Sequence, residues 1–110
     1  MAEGLKQTSH ILGYSQYTAT DTAFSLADTP AVGHGFPPTD PSQYGARPFV
    51  ALIQAEEQNI RWRDDGVAPT VSTGMILYAG DQPFLYDGDL RTIKFIAVIS
   101  GAILNVSYYR

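Results

Sequence analysis

Gln58 to Thr70 reads QNIRWRDDGVAPT, and its first half alternates apolar and charged side chains until Asp64-Asp65-Gly66 breaks the pattern. A period of two is that of a strand, whose successive side chains leave on opposite faces. Ile60 and Trp62 therefore share one face, and Arg61 and Arg63 share the other. Asp and Gly favour turn conformations that a ladder does not accommodate, so the strand ends near Asp64. The apolar face anchors a core. The charged face sets two guanidiniums beside two carboxylates and is the first place to look for a site.

The same grammar extends in both directions. Phe49 to Ala55 (FVALIQA) is a continuous apolar run, which predicts a strand buried on both faces, with Glu56-Glu57 as the turn that returns the chain through Gln58 to Asp64. Gly74 to Tyr78 and Pro83 to Tyr86 follow as short strands separated by Gly80-Asp81, and Asp87-Gly88-Asp89 is another turn. Thr92 to Ile99 and Ala102 to Tyr109 are two strong strands, with a tight hairpin expected at Ser100-Gly101. Upstream, Tyr14 to Thr20 is rich in Thr and Tyr, and a hairpin with Ala23 to Leu26 is expected across Asp21-Thr22.

No stretch carries an i, i+3, i+4, i+7 apolar stripe. About seven or eight short strands between turn signals predict an all-β chain. The expected architecture is a single antiparallel β-sandwich, jelly-roll-like with Greek-key links, and an open barrel is the second choice. Ala27 to Arg47 holds Pro30, Pro37, Pro38, Pro41, Gly33, Gly35 and Gly45, so neither helix nor central strand is expected there. It reads as a long Pro/Gly-rich loop, either a surface insertion or a segment ordered by a partner. The expected organisation is one β domain over residues 1–110: a flexible N-terminal segment 1–12, the loop 27–47 and core strands 48–110.

Composition bounds the function. A chain of 110 residues fits one domain and buries roughly two thirds of its unfolded surface. Apolar residues make up 45% and charged residues 16%, the balance of a globular domain rather than a disordered one. So little charge also favours a protein that assembles. The net charge of −4 argues against nucleic acid, which calls for clustered Lys and Arg. Without cysteine there is neither a disulfide framework nor a thiolate metal site. Met1 to Leu12 has no apolar core of a signal peptide, and no later run approaches a membrane span, so the expectation is the cytosol or a particle assembled there.

Chemistry finds little support. His10 and His34 are the only histidines and have no ligand-type neighbour at i+2 or i+4. A jelly-roll metalloenzyme would bring two or three histidines and a carboxylate together. Ser72 and Ser100 lie at turns without G-x-S-x-G, and phosphate-binding glycine patterns are missing. Neither an enzyme nor a cofactor is expected. Glu56-Glu57, Asp64-Asp65 and Asp87 with Asp89 are carboxylate pairs, but acid–base hydrolysis needs two across a cleft, one with a raised pKa. At turn tips solvent keeps both ionised, and turn-forming Asp is the better reading. A calcium site at Asp87-Gly88-Asp89 rests on a spacing too common to be specific. Trp62 with Tyr78, Tyr86, Tyr108 and Tyr109 is a conceivable sugar-stacking platform. Sharing a face with Ile60 makes Trp62 a core anchor instead, and full burial of such a ring is worth about 4–6 kcal/mol.

Four runs carry a resemblance: Ala51 to Gln54 (ALIQ), Asn59 to Thr70 (NIRWRDDGVAPT), Gly74 to Asp81 (GMILYAGD) and Leu104 to Tyr109 (LNVSYY). Together they resemble small β-sandwich structural proteins of tailed bacteriophages, of the decoration or cement type. The resemblance runs from about Arg47 to the end, a little over half of the chain. It implies a non-enzymatic virion protein, assembled in the host cytoplasm and placed on the capsid surface, with the major capsid protein or other virion proteins as partners. A homo-oligomer, a trimer by preference, is expected, with neither nucleic acid nor membrane. A neck, collar or tail position is the nearest alternative, and a carbohydrate-binding module is the alternative from another class. Interfaces enrich Arg and Tyr, so Arg47, Arg61, Arg63, Arg91 and Tyr109 are the candidate partner contacts. A strand ending at Tyr109-Arg110 is expected to leave an edge that a symmetric neighbour covers.

Overall fold

The computed structural model describes residues 11–33 and 50–109, and these form an all-β structure. Nine strands follow in order: β1 Ile11–Ala19, β2 Phe24–Ser25, β3 Val32–Gly33, β4 Val50–Glu56, β5 Ile60–Arg63, β6 Met75–Leu77, β7 Phe84–Tyr86, β8 Lys94–Ala97 and β9 Ala102–Tyr109. They make two antiparallel sheets, ordered β3-β1-β9-β4-β7 and β2-β8-β5-β6. With the two-residue β3 set aside, each sheet has four strands and the chain changes sheet at every link except β5 to β6, which is the strand order of a jelly roll. The sandwich, not the open barrel, is the architecture.

The local pairings differ from the sequence expectation. β1 pairs with β3 and β9, while β2 pairs with β8 in the other sheet, so no hairpin forms across Asp21-Thr22. β4 and β5 likewise lie in different sheets, as do β8 and β9 on either side of Ser100-Gly101. Only β5 and β6 are both consecutive and paired. A short turn dictates that the chain reverses; which sheet receives the next strand depends on where its apolar face is buried. Backbone hydrogen bonds fasten these corners. Ala97 N donates to Thr20 O at 2.9 Å, Gly101 N to Ala19 O at 3.0 Å and Val98 N to Asn59 O at 3.0 Å.

Two further expectations change. β4 alternates: Ala51, Ile53 and Ala55 are buried while Val50, Leu52 and Gln54 are half-buried, so only one face of this apolar run enters the core. β9 is not an edge, because β1 and β4 flank it on both sides. β1 begins at Ile11, which takes Ile11 and Leu12 out of the expected flexible segment. Residues 1–10, most of the Pro/Gly loop, and with them His10, His34 and Arg47, lie outside the described residues.

The core fills the space between the sheets. At one end Tyr17 of β1 stacks on Phe24 of β2 with ring centroids 5.1 Å apart, and Phe24 in turn stacks on Phe95 of β8 at 5.7 Å. At the other, Trp62 of β5 meets Phe84 and Tyr86 of β7 at 6.1 and 5.7 Å. Offset and edge-on aromatic pairs of this kind hold sheets together beyond their buried area. Between them Ser15, the one buried polar side chain among the described residues, shares a hydrogen bond of 3.1 Å with the Tyr108 hydroxyl.

Candidate partner-binding surface

The charged face of β5 turns inward on its own hairpin. Arg61 stands opposite Ile96 on one neighbour and Ile76 on the other, so its stem lies between aliphatic side chains. Its Nη1 donates to the carbonyl oxygen of Gly74 at 2.8 Å and its Nε to that of Val71 at 3.1 Å. The loop it holds closes on itself, with Thr70 N donating to Thr73 O at 3.0 Å and Thr73 N to Thr70 O at 3.2 Å. Gly74 is bound into this arrangement. Its φ of +139° is a glycine conformation, and a Cβ there would lie 3.0 Å from the Trp62 carbonyl oxygen.

Arg63 is spent locally as well. Its guanidinium makes a two-pronged ion pair with Asp65, Nε donating to Oδ1 at 3.1 Å and Nη2 to Oδ2. That guanidinium holds the Asp65 carboxyl below its usual pKa range, and the carboxylate raises Arg63 in return. Arg91 is exposed and donates from Nε to Asp89 Oδ1 at 3.3 Å. The two turns meet at Asp64. Tyr86 donates its hydroxyl to Asp64 Oδ2 at 2.8 Å, and Thr92 Oγ1 donates to the Asp64 carbonyl at 3.1 Å. Burial pushes the Tyr86 hydroxyl well above the ordinary phenol pKa, and the Asp64 carboxylate pushes the same way. Gly88 makes room for this ring, since a Cβ there would collide with the Tyr86 hydroxyl.

Arg61, Arg63 and Arg91 therefore sit at or near one end of the sandwich and serve the fold's own turns, while Tyr109 lies half-buried on the outer face of the other sheet. The candidate contacts do not gather into one surface. Trp62 packs against the core as expected but is only half-buried, so it gains part of the stabilisation of a fully buried ring. The carboxylates of the turns act as turn formers: Asp89 Oδ1 accepts from Arg91 N at 2.9 Å, and the Asp89 carbonyl from Thr92 N at 3.2 Å. Among the described residues no three His, Cys, Asp or Glu side chains converge as a metal site.

What the sequence reading missed is an apolar rim. Val67, Val71, Met75, Tyr78, Phe84 and Leu85 are exposed, and all come from the stretch that leaves β5 and ends in β7. Among the described residues β6 and β7 are the outer strands of their sheets on the Trp62 side of the sandwich, each paired on one side only. Met75 is opposite Trp62 in register, and Phe84 stacks on the same indole, so the rim opens between the two sheets. A cavity of about 280 Å³ adjoins it, lined by Arg63, Asp64, Asp65, Thr73, Gly74 and Met75. The available signal was the apolar run Met75-Ile76-Leu77-Tyr78, which no one-sided strand accounts for.

No protein-family model, curated protein or solved structure matched this chain. The surface is left to its own geometry: a rigid hairpin, two internally neutralised arginines and an apolar rim on two open strand edges.

Proposed function

We propose that this chain is a non-enzymatic structural protein of a tailed-bacteriophage virion, a decoration or cement protein that docks on the major capsid protein lattice and works as a homo-oligomer. It acts on the virion surface after assembly in the host cytoplasm, with neither nucleic acid nor membrane as partner. The observation that carries the reading is the apolar rim along β6 and β7, where Met75 and Phe84 stand exposed beside Trp62 and where Tyr78 and Leu85 add exposed apolar surface to the same two outer strands. Exposed apolar clusters on small proteins mark surfaces that bind other proteins, and an open edge offers backbone groups to a neighbour. The resemblance of residues 47–110 to phage structural proteins supplies the partner.

A cement protein stabilises the lattice because it binds the assembled shell and not the dissociated subunits. Such work requires a body that does not deform under load. The corner hydrogen bonds, the aromatic contacts between sheets and the Arg61 clamp suit it.

The test is to mix the purified protein with capsids that lack it. Retention at a fixed copy number per capsid subunit is expected, with loss of retention for Met75→Glu, an exposed position, in a variant that keeps the unaltered chain's circular dichroism. Failure of the unaltered chain to bind at fixed stoichiometry overturns the proposal. Cryo-microscopy of the particle separates the capsid surface from the competing neck, collar and tail positions. Against the sugar-binding alternative stands the packing of Trp62, half-buried and stacked on Phe84.

A further inference from the structure

The outward face of the five-stranded sheet is built in rows fixed by the register. Tyr14, Ser107 and Leu52 stand opposite one another, and the next row is Gln16, Asn105 and Gln54. Among the described outward positions of these five strands, Glu56 at the end of β4 is the only charged side chain. The other described carboxylates all sit in turns and links. A sheet face left to water ordinarily carries mixed charges. This one is amide, hydroxyl, phenol and aliphatic.

Its polar middle is internally knit. The Tyr14 hydroxyl donates to Asn105 Oδ1 at 2.6 Å, Gln16 Nε2 donates to the same oxygen at 3.0 Å, and Asn105 Nδ2 reaches Gln54 Oε1 at 3.4 Å. Beside it lies a dip of about 150 Å³ bordered by Tyr14, Leu52, Gln54 and Ser107, large enough for one side chain.

In a two-fold pair each patch meets a copy of itself. An arginine would meet an arginine and a carboxylate a carboxylate. A carboxamide carries donor and acceptor together and pairs with its own kind, as hydroxyls and aliphatic groups also do. The chain's net charge of −4 adds a second reason: two copies repel least when they approach through the face that bears almost no charge. Four strand spacings of about 4.8 Å by about eight residues of 3.3 Å give a footprint of roughly 500 Å² per copy, hence roughly 1,000 Å² for the pair, at the lower end of specific interfaces.

We infer that the outward face of the β3-β1-β9-β4-β7 sheet is a self-association surface, pairing with the same face of a second copy about a two-fold axis in place of the trimer expected from the sequence. The inference concerns the chain alone and stands or falls separately from the virion reading. Because the face bears only Glu56 as a charge, at its margin, association is expected to change little with ionic strength.

Sedimentation velocity of the full chain from about 1 to 200 μM tests it. A monomer–dimer equilibrium in the micromolar range is expected, nearly unchanged between low and high salt. Gln54→Glu and Asn105→Asp are near-isosteric and set like charges against one another across the axis. Each is expected to weaken the dimer at least tenfold while keeping the unaltered chain's circular dichroism. A monomer throughout the range, a closed trimer, or a dimer that neither folded variant weakens overturns the inference. So does a monomer that binds neutral glycans on an array and loses them on Asn105→Ala, which assigns the face to sugar.

Discussion

The Arg61 guanidinium donates to the carbonyl oxygen of Gly74 across the mouth of its own hairpin, at 2.8 Å. A cation that the sequence sets on an open strand face is thus a clasp for the loop between β5 and β6, with a second bond to the Val71 carbonyl. Arg63, two residues on, is paired with Asp65 in solvent. Hydrogen bonds to a charged group that are partly shielded are worth about 1.5–3 kcal/mol, whereas exposed ion pairs give about 0–1. Arg61→Ala is expected to lower the denaturant midpoint by an amount equal to about 1–3 kcal/mol. Arg63→Ala should move it less than Arg61→Ala does. Chemical denaturation of both variants checks the ranking, and equal losses would remove the distinction.

Trp62 lies half-buried with its indole against Phe84 and Tyr86. Its fluorescence is expected to be quenched by acrylamide to an extent between that of free tryptophan and that of a sealed core. Phe84 is 43% exposed and covers one side of the ring, so Phe84→Ala should raise the quenching constant measurably. Loss of that aromatic contact is expected to cost about 0.5–1.5 kcal/mol beyond area. An unchanged quenching constant would show that Phe84 does not shield the indole.

Ser15 and Tyr108 are both fully buried and bonded to one another at 3.1 Å. Removing one partner takes a hydrogen bond from a buried hydroxyl, in a cluster that the Tyr17 hydroxyl also joins. Tyr108→Phe and Ser15→Ala are each expected to destabilise by about 1–3 kcal/mol, and the double variant by less than their sum. A double-mutant cycle by urea unfolding measures the coupling, expected in the range of about 0.5–3 kcal/mol. Strict additivity would refute it.

Tyr17, Tyr86 and Tyr108 all have hydroxyls whose pKa is raised, chiefly by burial. A phenol with a raised folded pKa stabilises the fold fully below its unfolded value of about 10. As pH climbs above that value the unfolded chain sheds protons that the native chain retains. Stability is therefore expected to hold up to about pH 10 and fall beyond it, by about 1.4 kcal/mol per pH unit for each phenol kept neutral. Thermal unfolding at pH 9, 10 and 11 follows the loss, and Tyr86→Phe should flatten it. A midpoint constant to about pH 11 would contradict the prediction.

Much of the fold is legible in the residues. Strand positions follow from period-two alternation and from Gly and Asp at the links, and the parity of Ile60 and Trp62 correctly directs them to the core. Pairing is not legible to the same degree. Ser100-Gly101 looks like a hairpin turn because it reverses the chain, yet β8 and β9 enter different sheets. The same holds at Asp21-Thr22 and Glu56-Glu57.

The candidate contacts show the same limit from the side of function. Arg61 and Arg63 are recognisable as exposed-face cations from spacing alone, and Asp65, which pairs with Arg63, is only two residues away, but the carbonyls that absorb Arg61 come from a loop folding back. By itself the sequence determined where most of the strands lie, which face of β5 is apolar and where the chain must turn, because these depend on neighbours one or two positions away. Only the tertiary structure decided which strands pair, that β9 is central, that Arg61 is a clasp, and that β6 and β7 leave an apolar rim open. Those outcomes depend on burying every apolar face at once, and this couples residues such as Ser15 and Tyr108 that stand far apart along the chain.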